Sequence, residues 1–226
     1  MKNIYSNIFK FNKKNLSKCI KYLQKSDLVA LPTETVYGLA GNAYSKKSIL
    51  KIYKIKKRPR INPLIIHYSN YKNALRDVEI NQNFTKLYNK FCPGPITFIL
   101  KKKKNSLVLP SATAKLNTIA VRFPSNYKIR QILKKLTFPL AMPSANISSK
   151  ISPVDAKDVF EEFGKKIKMI VDGGRSKIGV ESTVLDLTKN ISILRPGSIS
   201  AKQIKKIVKK KITIVRDQKN IKSPGA

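Results

Sequence analysis

Apolar residues in this chain come in runs of about three to six, and most runs stop at a proline, a glycine or a polar cluster. Leu28–Leu31 ends at Pro32, Thr118–Phe123 at Pro124, Leu140–Met142 at Pro143 and Met169–Val171 before Gly173-Gly174. Leu64–His67, Ile96–Leu100, Thr183–Leu187, Ile191–Leu194 and Ile212–Val215 are further runs of strand length. Between them lie stretches with apolar residues at helical spacing. Leu16, Ile20 and Leu23 share one face of a helix over Asn12–Ser26. Ser45 caps a second helix, Asn83–Phe91 and Tyr127–Leu136 read as two more, Pro153 opens one that ends near Gly164, and Ser200–Lys210 is the last. Strands alternating with helices predict an α/β domain. Some links, such as that between Leu187 and Ile191, are too short for a crossover. The expected fold is therefore a twisted mixed parallel/antiparallel sheet flanked by helices.

The polar residues gather where strands end. Thr33-Glu34-Thr35 follows the first run, Ser144 and Asn146 follow Leu140–Met142, and Arg122 sits inside an otherwise apolar strand. In open α/β sheets a ligand occupies the crevice beyond the carboxyl ends of strands. Hydroxyls, amides and cations collected there suit a phosphorylated or carboxylated ligand. Each residue also has a plainer reading. Lys56 and Arg58 end a basic helix, where cations complement the dipole. Ser144 and Asn146 form turns readily. His67 fits a structural position, and Arg122 needs a buried partner of some kind.

Other chemistries have little support. His67 is the only histidine, and no acidic residue stands at a triad or metal-ligand spacing from it. Neither a P-loop nor a dinucleotide glycine motif occurs. Cys19 and Cys92 are far apart, which predicts free thiols in a reducing cytoplasm. No apolar run approaches a membrane span, and the N-terminus lacks the features of a secretory signal. The net charge is +35. Eight of the 47 basic residues are Arg and 39 are Lys, beside 28 Ile and 17 Asn. These three residue types share A/T-rich codons, so codon bias accounts for much of the excess. The charge nonetheless attracts polyanions, and non-specific RNA binding is expected from it.

Seven short motifs then occur in one order. They are Leu31-Pro-Thr-Glu-Thr-Val-Tyr-Gly-Leu39, Lys56-Lys-Arg-Pro59 with Asn62-Pro-Leu64, Cys92-Pro-Gly-Pro95, Ala120-Val-Arg-Phe-Pro124, Pro143-Ser-Ala-Asn146, Glu181-Ser-Thr-Val184 and Arg195-Pro-Gly197. Together, over about residues 15–215, the chain resembles the YrdC-like threonylcarbamoyl-AMP synthase family. The resemblance implies a YrdC-like fold and synthesis of threonylcarbamoyl-adenylate from L-threonine, bicarbonate and ATP, with release of pyrophosphate. A separate transferase complex would then carry the group to tRNA.

The resemblance also implies site residues. Lys56, Arg58, Ser144 and Asn146 match the catalytic K-x-R and S-x-N motifs and contact the nucleotide. Asn62, Thr118, Ser152 and Arg195 match further ATP positions, and Thr35, His67, Arg122 and Ser182 the L-threonine positions. Mg²⁺ would arrive with ATP, and no protein metal site is expected. Lys57 stands where the K-x-R motif usually has glycine. Residues 1–216 read as the synthase domain and 217–226 as a linker-like tail, Ile221-Lys-Ser-Pro-Gly-Ala226 resembling the start of the linker in the family's long form. The rival readings are a non-catalytic basic RNA-binding module and the related carbamoyl-transfer domain of hydrogenase-maturation proteins.

Overall fold

The computed structural model describes residues 5–215; the tail read at 217–226 lies outside the described residues. The first half of the chain carries β1 (Ile8–Lys10), α1 (Lys13–Gln24), β2 (Val29–Leu31), β3 (Gly38–Asn42), α2 (Lys46–Lys56), β4 (Ile65–His67), α3 (Tyr71–Ala74), α4 (Gln82–Phe91) and β5 (Ile96–Lys101). The second half carries β6 (Thr118–Arg122), α5 (Tyr127–Lys135), β7 (Leu140–Ala141), α6 (Ala156–Phe163), β8 (Met169–Asp172), β9 (Thr183–Asp186), β10 (Ser192–Arg195), α7 (Ala201–Val208) and β11 (Thr213–Ile214).

The strands form one sheet in the order β1-β8-β2-β3-β7-β4-β6-β5-β9-β10-β11. Among the described residues five neighbouring pairs are parallel and five antiparallel, so the sheet is mixed as expected. The short link after β9 is an antiparallel hairpin. Two strands escape the sequence reading. β1 is short and only half-buried, and β3 reads Gly-Leu-Ala-Gly-Asn, with no β-branched residue to signal it. A third expectation is corrected. Pro153 does not open α6; Asp155 caps it, in a capping box with Asp158. Pro153 stays outside the helix, where its carbonyl accepts from Tyr37 N at 2.8 Å.

Side chains alternate across a strand, and this decides where the site can form. On one face Ala30, Leu39, Ile66, Phe98, Val121, Ile170 and Leu185 pack with α2, α4, α6 and α7 in the main core. On the other face Val29, Leu31, Leu140, Met169 and Val171 pack under α1 and α5. Further along that second face, Ile65, Ile99, Ala120 and Val184 form a small cluster with no helix residue in it. His67, Arg122, Thr97 and Ser182 are each two residues from a member of this small cluster, so they share its face. Register aligns them: His67 and Thr97 both pair with Arg122. A polar row thus crosses three strands on the half of the sheet that α1 and α5 leave uncovered.

Candidate functional site

A cavity of about 400 Å³ opens on this face. Its first wall is the segment between β2 and β3, where Thr33 to Tyr37 are all buried. Thr33 Oγ1 donates to Val36 O at 2.6 Å and accepts from the backbone N–H groups of Thr35 and Val36. This closes a tight turn that needs no water. The turn carries Glu34 inward. Arg122 Nη2 donates to Glu34 Oε1 and to Thr35 Oγ1, both at 2.8 Å, and Glu34 Oε2 accepts from the backbone N–H of Ser125 and Asn126. Burial pushes the Glu34 carboxyl up, but Arg122 and the N–H donors outweigh it and hold it below its usual value.

Arg122 is 4% exposed and lines the cavity, and its Nε has no hydrogen-bond partner. Beside it His67 is 1% exposed, with both ring nitrogens unpartnered. Burial, then the charge of Arg122, pushes His67 well below the usual imidazole value, so the ring is neutral. Ser182 completes this end; its hydroxyl bonds Thr97 Oγ1 at 2.8 Å. Buried donors without protein partners are rare, because leaving one unmade costs about 1–3 kcal/mol. Their concentration here suits a small, polar, negatively charged group.

The other end is built on the C-terminus of α2 and the turn after β7. Lys57 caps α2 in the left-handed conformation (φ 51°), which reverses the chain at once and lets both Lys56 and Arg58 line the cavity. Lys56 is 1% exposed. Its Nζ donates to Ser144 O at 2.6 Å, Asn146 O at 2.5 Å and Asn146 Oδ1 at 3.3 Å, so three protein oxygens take its three protons. Burial, then Arg58, pushes its pKa down to about 7. Lys56 therefore ties down the Ser144–Asn146 turn rather than reaching into the open volume. Arg58 donates to Asn62 O, Asn62 Oδ1 and Pro63 O, which folds the 58–63 turn around its guanidinium. Arg195 donates twice to Ser182 O and once to Ser182 Oγ, and pairs with Glu181. A Cβ on Gly197 would stand 2.4 Å from Thr183 N, so glycine is needed for the chain just after β10 to lie this close.

A family model, Sua5_yciO_yrdC, with the description "Telomere recombination", matches residues 21–197. The chain belongs to the Sua5/YciO/YrdC family. That match includes every residue lining the cavity, from Thr33 to Arg195. Within the family, the chain is 42% identical over 190 residues to a threonylcarbamoyl-AMP synthase of Pyrococcus abyssi, covering 83% of this chain and 55% of that protein. It is 32% identical over 209 residues to a putative threonylcarbamoyl-AMP synthase of Methanocaldococcus jannaschii, covering 90% and 98%. The crystal structure of P. abyssi Sua5 complexed with L-threonine superposes with a TM-score of 0.91 at 37% identity, over 96% of this chain and 66% of that one. The chain spans about half the length of the curated relatives that it matches at 39–42% identity.

Ten of the twelve residues expected from the Sua5/YciO/YrdC resemblance line this one cavity: Lys56, Arg58, Asn62, His67, Arg122, Ser144, Asn146, Ser152, Ser182 and Arg195. Thr35 stands behind it, bonded to Arg122. Thr118 is apart. It shares the face of Arg122 but pairs with Lys101 four residues down β6, about 13 Å away by strand rise, and borders a separate lysine-lined depression. The sequence reading assigned no role to Glu34, Tyr37 or Glu181. Each lies in a quoted motif, but its partner lies in another stretch of the chain, 88 positions away for Glu34, 137 for Tyr37 and 14 for Glu181.

Proposed function

We propose that this protein is an L-threonylcarbamoyladenylate synthase, converting L-threonine, bicarbonate and ATP to threonylcarbamoyl-AMP and pyrophosphate. The observation that carries the reading is the two-ended cavity. At one end Arg122, His67 and Ser182 line the volume, with Arg122 Nε and the His67 ring nitrogens buried beside it without partners; at the other stand Arg58, Arg195, Ser144 and Asn146. The naming of the Pyrococcus relative and its threonine-bound structure support it.

In this reading Arg122 takes the threonine carboxylate, a charge-assisted contact that its ion pair with Glu34 pre-aims. Neutral His67, with one donor and one acceptor nitrogen, and the hydroxyl of Ser182 orient the amine and side chain, with Thr35 acting through Arg122, to which it is bonded. The amine forms a bond to the bicarbonate carbon and water leaves. A carbamate oxygen then attacks the α-phosphorus of ATP and pyrophosphate departs. Arg58, Arg195, Ser144, Asn62, Asn146 and Ser152 hold the phosphates and ribose, with Lys56 acting through the turn it ties. Most of the rate would come from bringing bound reactants together and from donors aimed at developing phosphate charge. Thr118 would meet only a nucleotide group reaching past the Ala120 cluster. Mg²⁺ enters as the counter-ion of ATP and is part of the substrate.

The product is a mixed anhydride, so it needs an acceptor close by. The reading places the protein in the cytoplasm, ahead of a tRNA threonylcarbamoyl transferase complex. Among the described residues no helix is long and apolar enough to cross a membrane. The test is pyrophosphate release by purified, folded protein. Release that requires both L-threonine and bicarbonate, with threonylcarbamoyl-adenylate found by mass spectrometry, is the expected result. ATP turnover indifferent to either co-substrate would sink the reading.

A further inference from the structure

Glu181 is the one acidic side chain among the described residues that line the cavity, and it stands among cations. Its Oε2 pairs with Arg195 Nη1, and its Oε1 accepts from the Ser152 hydroxyl at 3.0 Å. Its charge is felt by Lys56 and Arg58 as well. Arg58, Arg195 and Ser152 are among the groups that the proposed function assigns to the phosphates and ribose of the nucleotide. A carboxylate and a phosphate present similar forks of oxygens to a guanidinium, so the two would compete for the same donors.

The surroundings decide which partner yields. Arg195 is held from behind by Ser182: Nε and Nη2 reach Ser182 O at 3.2 and 3.0 Å, and Nη2 reaches Ser182 Oγ at 3.1 Å. None of these bonds involves Glu181. The Arg195 side chain is 13% exposed, whereas that of Glu181 is 29% exposed. Glu181 is therefore the more open of the two to solvent, and Arg195 the more firmly held.

We propose that Glu181 is a resident counter-anion of the nucleotide end, displaced outward by an entering phosphate while Arg195 stays in place. The proposal rests on the phosphate-binding half of the reading above. Its consequence is selection. A ligand must carry enough charge to replace a carboxylate already paired there, which favours a triphosphate over singly charged anions.

The test is the affinity of inorganic triphosphate and of ATP, by calorimetry, for the wild-type chain and for Glu181→Gln. Glutamine keeps the shape and can accept from Ser152, but lacks the charge. Removing one like charge at contact range in a half-wet site should tighten triphosphate binding about threefold or more. Unchanged or weaker binding overturns the proposal, because Glu181 would then be positioning Arg195 for the ligand. Should Glu181→Gln fail to fold, a crystal structure of the wild-type protein with inorganic triphosphate decides. Glu181 turned away from Arg195 is expected; triphosphate bound with the ion pair intact overturns it. Triphosphate that binds neither protein also overturns it. Inorganic triphosphate carries no adenosine and takes no part in threonine chemistry. A protein that behaves as expected here but makes no threonylcarbamoyl-adenylate would keep this proposal and lose the synthase reading.

Discussion

Arg122 meets Glu34 on one side and the cavity on the other, and the two contacts have separable effects. Arg122→Ala should weaken threonine binding far more than ATP binding; equal losses by calorimetry would make Arg122 a fold-stabilising residue instead. Glu34→Gln breaks a buried pair and should cost about 3 kcal/mol of stability. The Glu34 carboxyl is held below its usual 4.5. Its contribution is therefore present in full above about pH 4.5 and lost as pH falls through the lowered value. Acid unfolding curves should show that loss in the wild type and not in Glu34→Gln. Arg58→Ala should remove about 3 kcal/mol of transition-state stabilisation, by analogy with losing one preorganised donor, and near-normal turnover at saturating ATP would dismiss its role. Lys57, left-handed at φ 51°, adopts a conformation that glycine takes without strain. Lys57→Gly should leave turnover unchanged and stabilise by no more than about 1 kcal/mol, since the freer unfolded chain offsets part of the relief. Much of the site at this scale was legible: Arg122 announced itself as a cation in an apolar strand. Its partner did not, because Glu34 lies 88 positions away and sequence spacing carries no trace of that approach. Nor did spacing show that Lys56 faces protein oxygens rather than open volume.

Elements with strong periodicity were read well, and those defined by packing were not. α1 and α2 follow their apolar spacing and begin at the polar caps Asn12 and Ser45. β3 is a strand because β2 and β7 flank it, and its own residues would suit a turn. At α6 the sequence offers two starts. Pro153 is tolerated in a first turn, but Asp155 with Asp158 satisfies two backbone donors reciprocally and prevails. α6 also supports the nucleotide end from outside. Glu162 accepts from Ile147 N and from Lys150, just beyond the Ser144–Asn146 turn. Asp155→Ala should cost about 1 kcal/mol, or roughly 3 °C in melting temperature for a chain of this size. A scan with and without ATP checks this, and a ligand-induced shift equal to that of the wild type is expected, since Asp155 lines no part of the cavity.

For the whole molecule the dominant quantity is +35. Like charges at this density oppose compaction, and salt screens them over about 10 Å at 0.1 M. The melting temperature should therefore rise between about 20 and about 200 mM NaCl, where a chain near neutrality would change little. RNA affinity should fall steeply over the same range while threonine-dependent turnover falls much less. Parallel losses would favour the rival reading as an RNA-binding module. The fold class was legible at this scale because strand and helix patterns alternate; the order of strands was not, because the sheet interleaves distant parts of the chain. That interleaving bears on synthesis. β5 is flanked by β6 and β9, and β9 begins at Thr183. At ribosomal speeds of roughly 5–20 residues per second, several seconds separate the emergence of Lys101 from that of Thr183. Throughout that interval β5, whose residues Ile96 to Leu100 are all buried in the finished protein, is an unprotected edge of the kind that recruits other chains. A messenger broken after the codon of Lys101 and before that of Glu181 would release that edge for good, together with Lys56 and Arg58 but without Glu181, their nearby carboxylate.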